Sequence, residues 1–311
     1  MFNIHFNGVK KVLVAAAVTV TLGGVSSYGI SAPAAVAAGV SKGAGAFIAS
    51  NDTTLKAIAK NGIANSPNQA VTQQGVKLTL TDLAVDGAKI VAGIKQEGTK
   101  LTKEGAFLDS TRKMEVLIDG KYATFDIMTS QEKDSALFYL QEGKVKQVIP
   151  DSFKLTLRVY VKGVREPFEF NTQADKLSLM LDLKPGVSKK NSNFSYTVTG
   201  FQMSPLTMSL KLNFKGVHPA TARSKAGSQN MLYELVDDKG NISPSLNIID
   251  KKVLTSGSEV QHYAAFPAVP KSISIKPYTF SFNARGEFIR DSKGQAIKTY
   301  YKDLESKFTV K

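Results

Sequence analysis

The stretch at residues 71–98 reads VTQQGVKLTLTDLAVDGAKIVAGIKQEG and decides the fold class. Within it Val76, Leu78 and Leu80 alternate with polar residues, which is the two-residue period of a half-buried strand. The pair Asp86-Gly87 separates this run from a second apolar run. Because glycine tolerates the positive φ that tight hairpin turns require, the stretch predicts an antiparallel β-hairpin.

The same pattern recurs further along the chain. The segment MEVLIDGKYATFDIM at residues 114–128 places Asp119-Gly120 between two strand-like runs. The segment SFKLTLRVYVKG at residues 152–163 alternates apolar and polar residues, the apolar set being Phe153, Leu155, Leu157, Val159 and Val161. These runs predict a first β-sandwich domain over residues 69–185.

A second strand series follows an interruption. Pro185-Gly186 and the basic polar stretch after it break the pattern and predict a linker at residues 186–193. Alternating runs then resume at residues 194–216, 230–242, 271–289 and 295–310. Short alternating runs separated by turns are typical of antiparallel sandwiches. The predicted fold is therefore all-β, with two immunoglobulin-like antiparallel β-sandwiches in series, the second spanning residues 194–311, after an N-terminal membrane or signal helix.

The N-terminal segment, KKVLVAAAVTVTLGGVSSYGISAPAAVAA at residues 10–38, begins with two lysines and is then uncharged. Its apolar run resembles the h-region of a signal peptide. Ala35-Val36-Ala37 fits the small-residue pattern of a signal-peptidase site, with cleavage before Ala38. The signal-peptidase site is thus predicted at Ala35, Ala37 and Ala38.

The same segment is also long enough to remain in a bilayer, which requires about 20 mostly apolar residues. Lysines stay on the cytoplasmic side, so everything after the segment is expected outside the membrane under both alternatives. Residues 1–37 are predicted as a signal peptide or a transmembrane anchor. The protein is then either a single-pass cell-membrane protein with extracellular C-terminal domains or, if cleaved after Ala37, a secreted one.

Between the N-terminal segment and the first strand, residues 38–68 are predicted to form a stalk or a short packing helix. Asn51 or Asp52 is placed to cap a helix that runs through Ala59 and ends at Gly62.

Composition narrows the function classes. The chain has no cysteine, which excludes disulfides, thiolate metal sites and a cysteine nucleophile. Its formal net charge is +14, and residues 151–311 hold 24 basic against 14 acidic residues. A cationic exported protein can associate with anionic wall polymers or lipid headgroups. The alternative is a solvated lysine-rich surface, because the chain contains no dense basic run.

No motif for catalysis is present. His5, His218 and His262 lie far apart, which argues against a histidine-based zinc site. No glycine-framed serine or correctly spaced serine-lysine pair suggests a nucleophile. The chain also lacks tryptophan, a common floor for stacking sugars. We predict no catalytic, cofactor-binding or metal-binding residue, no cofactor, and a protein that is not an enzyme.

Two loops and one aromatic run leave alternatives. The loops DDKGN at residues 237–241 and DSKGQ at residues 291–295 are predicted to be hairpin turns rather than calcium loops, because the central lysine opposes a cation. Strand alternation places Tyr278, Phe280 and Phe282 on one face, which suits either a sandwich core or, together with Tyr300 and Tyr301, a ligand surface. The core is the favoured interpretation.

The small-residue stretch SAPAAVAAG and the following NSPNQAVTQQGVKLTLTDLAVDGAKIVAGIK carry a family resemblance. They resemble the extracellular domain of unknown function found in anti-sigma-factor-like membrane proteins of Gram-positive bacteria, most clearly over residues 30–95. The region from residue 191 to the C-terminus is similar to the uncharacterised immunoglobulin-like domain that often follows it.

This resemblance implies a cytoplasmic sigma-binding domain, one membrane helix and an exported sensory portion. Only eleven residues precede Val12, and without cysteine the zinc ligands common in sigma-binding domains are absent, so direct sigma-factor binding is not expected. The predicted function is the sensory or ligand-binding portion of such a system. The alternative is a secreted, wall-associated or adhesive protein that binds anionic wall polymers through its basic second domain. Expected partners are the membrane and an unknown envelope protein or wall polymer, without nucleic acid.

Overall fold

The computed structural model of the chain describes residues 45–98, 107–132, 134–142, 148–216, 231–243, 245–246 and 255–310. The predicted membrane or signal helix at residues 1–37 lies outside these ranges. No helix in the described ranges is long and apolar enough to cross a bilayer.

Two short α-helices precede a long series of strands. The helices are α1 Ala46–Ala49 and α2 Thr53–Lys60. The strands are β1 Gln69–Gln73, β2 Val76–Val85, β3 Lys89–Gly98, β4 Glu115–Ile118, β5 Lys121–Tyr122, β6 Phe125–Gln131, β7 Ser135–Glu142, β8 Ser152–Val159, β9 Phe168–Asp175, β10 Leu181–Leu183, β11 Ser188–Lys190, β12 Phe194–Met203, β13 Thr207–Gly216, β14 Leu232–Asp237, β15 Ile242–Ser243, β16 Ser256–Ala264, β17 Ser272–Phe280, β18 Lys298–Tyr300 and β19 Ser306–Thr309. A 3-10 turn, Lys302–Leu304, precedes β19.

The strands form four antiparallel sheets. Sheet I has the order β1-β2-β3-β7-β6, and sheet II the order β5-β4-β8-β9. Sheet III has the order β10-β12-β13-β16 with β11 also on β12, and sheet IV has the order β15-β14-β17-β18 with β19 also on β17. The prediction of a mostly β, antiparallel chain is confirmed.

Both predicted aspartate-glycine hairpins are present. Asp86-Gly87 joins β2 to β3, where Val85 pairs with Ile90. Asp119-Gly120 joins β4 to β5, and both residues have positive φ, 49° and 76°. Positive φ at both central positions is the geometry of the tight two-residue hairpin turn.

The alternation in β2 changes phase midway. A register shift between Leu80 and Asp82 inserts an extra residue opposite β3. Before this bulge the even-numbered residues Leu78 and Leu80 face the first core, and after it the odd-numbered Leu83 and Val85 do so. A bulge of this kind moves the apolar set to the other parity without breaking the strand.

Each sheet packs face to face on one partner sheet. Apolar residues of sheets I and II form one buried core, whose largest members include Phe107, Phe138, Phe153, Phe168 and Phe170. Sheets III and IV enclose a second core that includes Tyr196, Phe201, Tyr233, Tyr263 and Phe308. The chain therefore contains two sheet pairs, called below the first pair (sheets I and II) and the second pair (sheets III and IV).

Within residues 38–68, predicted as a stalk or a packing helix, the described helices α1 and α2 pack on the outer face of sheet I. Asp52 caps α2, as one of the two predicted caps, by accepting from the N–H groups of Thr54 and Leu55. A third buried cluster joins the helices to this face and to Leu206 of the second pair, its members being Ala46, Phe47, Leu55, Ile58, Ala84, Val91, Leu137 and Leu206. Sheet I is therefore covered on both faces, which is why β2 is buried almost throughout and not on one side only.

Residues 186–193, predicted as a linker, carry the short strand β11 on β12. The described ranges belong to a single compact unit, in which Leu206 is fully buried against the outer face of sheet I. The boundaries predicted for the two domains stay a prediction.

Candidate functional site

The junction between the two sheet pairs is built on Asp86, in the turn between β2 and β3. This side chain is 2% exposed and makes four hydrogen bonds. Its Oδ1 accepts from the backbone N–H groups of Ala88 and Lys89, which closes its own turn. Its Oδ2 accepts from the hydroxyls of Ser204 and Thr207 in the turn between β12 and β13. One carboxylate thus holds a turn of the first pair against a turn of the second.

The Ser204 hydroxyl has little freedom in this arrangement. Its Oγ accepts from the N–H of Leu206 at 3.0 Å and from that of Thr207 at 2.9 Å, which uses both lone pairs. Its proton is therefore donated, with the Asp86 carboxylate at 2.7 Å as the nearer acceptor and the Thr207 carbonyl at 3.2 Å as the farther one. A carboxylate suits this position because it accepts and never donates when ionised.

A set of charged and polar groups links Asp86 to the helices. Lys89 is 8% exposed, and its pKa is lowered by burial against the opposing effect of the nearby carboxylates of Asp86 and Asp52. Asp52, the cap of α2, also accepts from the Tyr139 hydroxyl at 3.3 Å. Burial raises the pKa of Tyr139, and the negative charge of Asp52 raises it further. These groups extend from the junction to the first turn of α2, with Lys89 attracted by the charges of both Asp86 and Asp52.

A second buried carboxylate fixes α1. Asp82, at the bulge of β2, accepts from the N–H of Phe47 at 3.1 Å and from the Thr81 hydroxyl at 2.8 Å. Burial raises its pKa, and these hydrogen bonds oppose the rise. Gly93 on β3 leaves room for α1, since a Cβ there would lie 2.9 Å from that of Ala46. The start of the described chain is thus tied to the centre of sheet I.

A shallow pocket of about 260 Å³ lies at the junction. One side is the turn at residues 86–88, and the other is the outer face of sheet III, with Leu179 at the rim. The lining from sheet III and its turn consists of Gln202, Ser204, Thr207, Ser209, Lys211, Val260 and His262. Hydroxyls, an amide, a cation and an imidazole are groups that bind small polar ligands, with the exposed Leu179 and Val260 offering apolar contact.

Of the residues that the sequence analysis considered as possible metal ligands or ligand-binding groups, His262 alone lies at this pocket. His5, His218 and the predicted signal-peptidase residues Ala35, Ala37 and Ala38 are outside the described ranges. Within those ranges no group of three or more histidine, aspartate or glutamate side chains is arranged to hold a metal ion. Asp86 was not singled out for this role from the sequence, because a turn aspartate before glycine is fully explained by its hairpin.

The loops at residues 237–241 and 291–295 are hairpin turns, as predicted. In each, the first aspartate accepts through Oδ1 from two backbone N–H groups of its own loop, and the glycine has positive φ, 84° at Gly240 and 77° at Gly294. A third copy, Asn283 to Glu287, has the same bonds and was missed because asparagine replaces aspartate. Residues 283–290, NARGEFIR, and 291–298, DSKGQAIK, therefore form two successive copies of one eight-residue unit.

These two units and the end of β17 form a junction of three hairpins. The N–H of Ser281 donates to Ile297, that of Ile297 to Ile289, and that of Ile289 to Ser281, at 2.8 to 3.0 Å, closing a ring. Around the ring, Phe282 pairs with Phe288, Arg290 with Ala296, and Phe280 with Lys298. Ser281, Ile289 and Ile297 are spaced eight residues apart, so each contributes one N–H and one carbonyl to this closed set of three hydrogen bonds.

The core interpretation is wrong for Phe280 and Phe282, which are partly buried, whereas Tyr278 is buried at 3% exposure but on the strand face away from the second core. The core of the second pair takes Ile273 and Ile275 from β17, and side chains of opposite parity point to the opposite face of the strand. The three rings lie outside the core and, with Phe288 and Tyr300, form what we call the aromatic strip. Along it, Tyr300, Tyr278, Phe280, Phe288 and Phe282 follow one another with centroid distances of 4.9 to 5.7 Å. Tyr301, by contrast, packs against the core.

Charged groups flank the strip. Lys298 Nζ lies 4.6 Å from the Tyr278 ring centroid and donates to Glu234 at 2.8 Å, and the Tyr300 hydroxyl donates to the same carboxylate at 2.9 Å. Burial raises the pKa of Tyr278 to about 12, and Glu234 adds to that rise. Tyr300 is 40% exposed, which leaves part of its ring accessible.

A partly buried carboxyl lies on β16. Burial raises the pKa of Glu259 to about 7, opposed by a hydrogen bond from Gln261 Nε2 to Glu259 Oε1 at 3.1 Å. Tyr263 donates to the other end of Gln261 at 3.1 Å. These groups face the interior of the second pair and are not among the residues that line the pocket.

Comparison with known families identifies part of the chain. Residues 5–98 match the family described as Domain of unknown function (DUF4179). The match ends at the last residue of β3 and includes α1, α2, Asp82 and Asp86. No curated protein matches the chain.

Among solved structures, the chain is similar to "The crystal structure of the conserved domain protein from Bacillus anthracis". The TM-score is 0.52 at 13% sequence identity, and the match covers 80% of this chain and 92% of the other. At this identity the similarity concerns the fold alone. It extends over both sheet pairs, since the matched share is far longer than either pair.

Proposed function

We propose that this chain is a non-catalytic protein of the cell envelope that acts outside the cytoplasm. Its folded body is the sensory, ligand-binding portion of an anti-sigma-factor-like system. In this proposal each sheet pair is an immunoglobulin-like sandwich, and residues 1–37 are the membrane anchor or signal peptide. The one observation that carries the proposal is the position of the pocket, at the junction of the two pairs and beside the network that reaches the helices.

The chemistry of the pocket supports binding over catalysis. Asp86, the only carboxylate among the pocket residues, makes four hydrogen bonds and is committed to joining the two turns. A general base needs a free lone pair directed at its substrate. Both oxygens of the Asp86 carboxylate already accept hydrogen bonds from groups of the two turns. The remaining groups, among them Ser209, Lys211 and His262, form an open polar surface suited to reversible binding.

The same geometry suggests how occupancy is reported. A ligand held between the turn at residues 86–88 and sheet III contacts the groups that hold the two pairs together. A change in these contacts alters the electrostatic attraction between Lys89 and the carboxylates of Asp86 and Asp52. Asp52 caps α2, and α1 and α2 are the first elements after the predicted membrane segment. The pocket is therefore placed to influence the part of the chain nearest the membrane.

Pocket filling in the native host tests the proposal. Ser209→Phe puts a ring into the pocket, and Ser195→Phe, on the neighbouring strand of the same sheet and outside the pocket, is the matched control. We expect the gene deletion and Ser209→Phe to change transcription of a sigma regulon under envelope stress, and Ser195→Phe to behave as wild type. An unchanged regulon after deletion contradicts the sensory role. A changed regulon after deletion with a wild-type response in Ser209→Phe contradicts the pocket assignment.

A further inference from the structure

We propose that the aromatic strip is a binding surface for an anionic polysaccharide. This inference goes beyond the sensory function and does not depend on it, because the strip lies on the outer face of sheet IV and shares no residue with the junction pocket. It gives a specific site to the wall-polymer association that the basic second half of the sequence suggested.

The first argument is the arrangement of the rings. Five aromatic side chains follow one another along one face, where Tyr300 is 40% exposed, Phe280, Phe282 and Phe288 are partly buried, and Tyr278 is buried. The centroid distances of 4.9 to 5.7 Å are those of rings in direct contact, so the five rings form one continuous apolar surface. Sugar rings stack their C–H faces on aromatic rings, and interplanar angles of 33° to 87° offer both faces and edges to such a chain.

The second argument is charge. Residues 276–302, which contain the strip except for its contact with Glu234, hold six lysines and arginines against two acidic residues. Among the described residues, the side chains of Arg285 and Lys293 form no ion pair and are exposed at the two repeated turns. Exposed cations in the same segment as an aromatic surface favour a polymer that carries both sugar rings and negative charge.

The third argument is the local polar chemistry. Tyr300 presents a half-exposed ring whose hydroxyl is fixed by Glu234 at 2.9 Å, and Lys298 is held over Tyr278 by the same carboxylate. The ring orientations are thus set before any ligand arrives, which lowers the entropy lost on binding.

Binding of the purified full chain to four probes tests the inference. The probes are polygalacturonate, which has sugar rings and charge; dextran, which has rings without charge; polyphosphate, which has charge without rings; and phosphatidylglycerol vesicles. We expect the tightest binding to polygalacturonate, weakened by high salt but not abolished, since screening acts on the charges and not on stacking. Equal binding to polyphosphate, or binding to the vesicles alone, overturns the inference.

Variants locate the site. Tyr300→Ala should weaken polygalacturonate binding roughly three- to tenfold, the range expected for one aromatic contact. Tyr300→Phe keeps the ring and should retain binding, which separates stacking from loss of the hydroxyl bond. Tyr122→Ala, which removes a ring that is 71% exposed in the first pair, is the matched control and should have no effect. An equal loss in the two alanine variants, or full binding by Tyr300→Ala with an unchanged melting temperature, contradicts the assignment.

Discussion

The junction between the sheet pairs makes a sharp prediction for Asp86→Asn. The new side chain keeps one oxygen, which still accepts from Ala88 and Lys89. Its amide nitrogen replaces Oδ2 and faces Ser204 and Thr207. Because the Ser204 oxygen already accepts two backbone N–H groups, the amide N–H that faces it is left without an acceptor there, and the Ser204 proton keeps only its longer bond to the Thr207 carbonyl at 3.2 Å.

The magnitude follows from these contacts. A buried hydrogen-bonding group left unsatisfied costs about 1–3 kcal/mol. Lys89, 8% exposed, also loses the first of its two compensating carboxylates, and an uncompensated buried charge is costly. We therefore expect Asp86→Asn to lower the free energy of unfolding by about 2–4 kcal/mol.

Urea unfolding of the purified protein at neutral pH measures this loss. The matched control is Asp119→Asn, in the other aspartate-glycine hairpin. Its exposed side chain accepts one backbone N–H, from Lys154 at 2.9 Å, and asparagine tolerates its positive φ of 49°. We expect a change within about 0.5 kcal/mol for this control. Equal losses in the two variants would refute the argument that Asp86 joins the two pairs.

Three further predictions concern the same fold. Leu206→Ala should cost about 2–5 kcal/mol in urea unfolding, because Leu206 is fully buried against sheet I and the helices, and a loss below 1 kcal/mol would contradict that packing. Gly93→Ala should displace α1, since the added Cβ lies 2.9 Å from that of Ala46, and proteolysis before residue 50 should accelerate relative to Gly87→Ala, where the space is open. The pKa of Glu259 is raised to about 7, so its stabilising contribution is complete below pH 4.5 and is lost as the pH rises through 7. Relative to wild type, the free energy of unfolding of Glu259→Gln should therefore rise by about 3 kcal/mol between pH 4.5 and pH 8.5. Melting curves recorded across this pH range measure the change, and a stability difference between the two proteins that stays constant with pH would refute the raised pKa.

Much of the fold could be predicted from patterns among neighbouring residues. Asp119-Gly120 and the loops at 237–241 and 291–295 form the predicted turns, because the turn geometry depends on residues within the loop itself. The alternation from Phe153 to Val161 likewise predicts an inward-facing set, and every member of it is buried. These features need no knowledge of distant contacts.

The features that were missed depend on contacts between distant segments. Thr79 and Thr81 look like the solvent face of β2, but helices from residues 46–60 cover that face. Tyr278 and Phe280 have the alternation of core residues, but Ile273 and Ile275 of the same strand face the second core. Because Tyr278 and Phe280 are at even-numbered positions, their rings lie on the opposite face of the strand. Strand periodicity identifies which residues share a face, and it does not say which face meets a partner sheet.

The pocket could not be predicted for the same reason. Asp86 and Ser204 are separated by 118 positions, and their hydrogen bond exists only once both sheet pairs have formed. The sequence marks each residue as part of a turn, which explains it completely at the local level. Only the docking of Leu206 on sheet I brings the two turns together.

Hydrogen–deuterium exchange of Asp86→Asn against wild type tests the coupling of the pocket to the helices most directly. The account predicts faster exchange in two separate places, the turn at residues 204–207 and the helix α2 at Thr53–Lys60, with Asp119→Asn unchanged at both. Faster exchange confined to the turn at residues 86–88 would contradict the account, because the junction would then be independent of the helices.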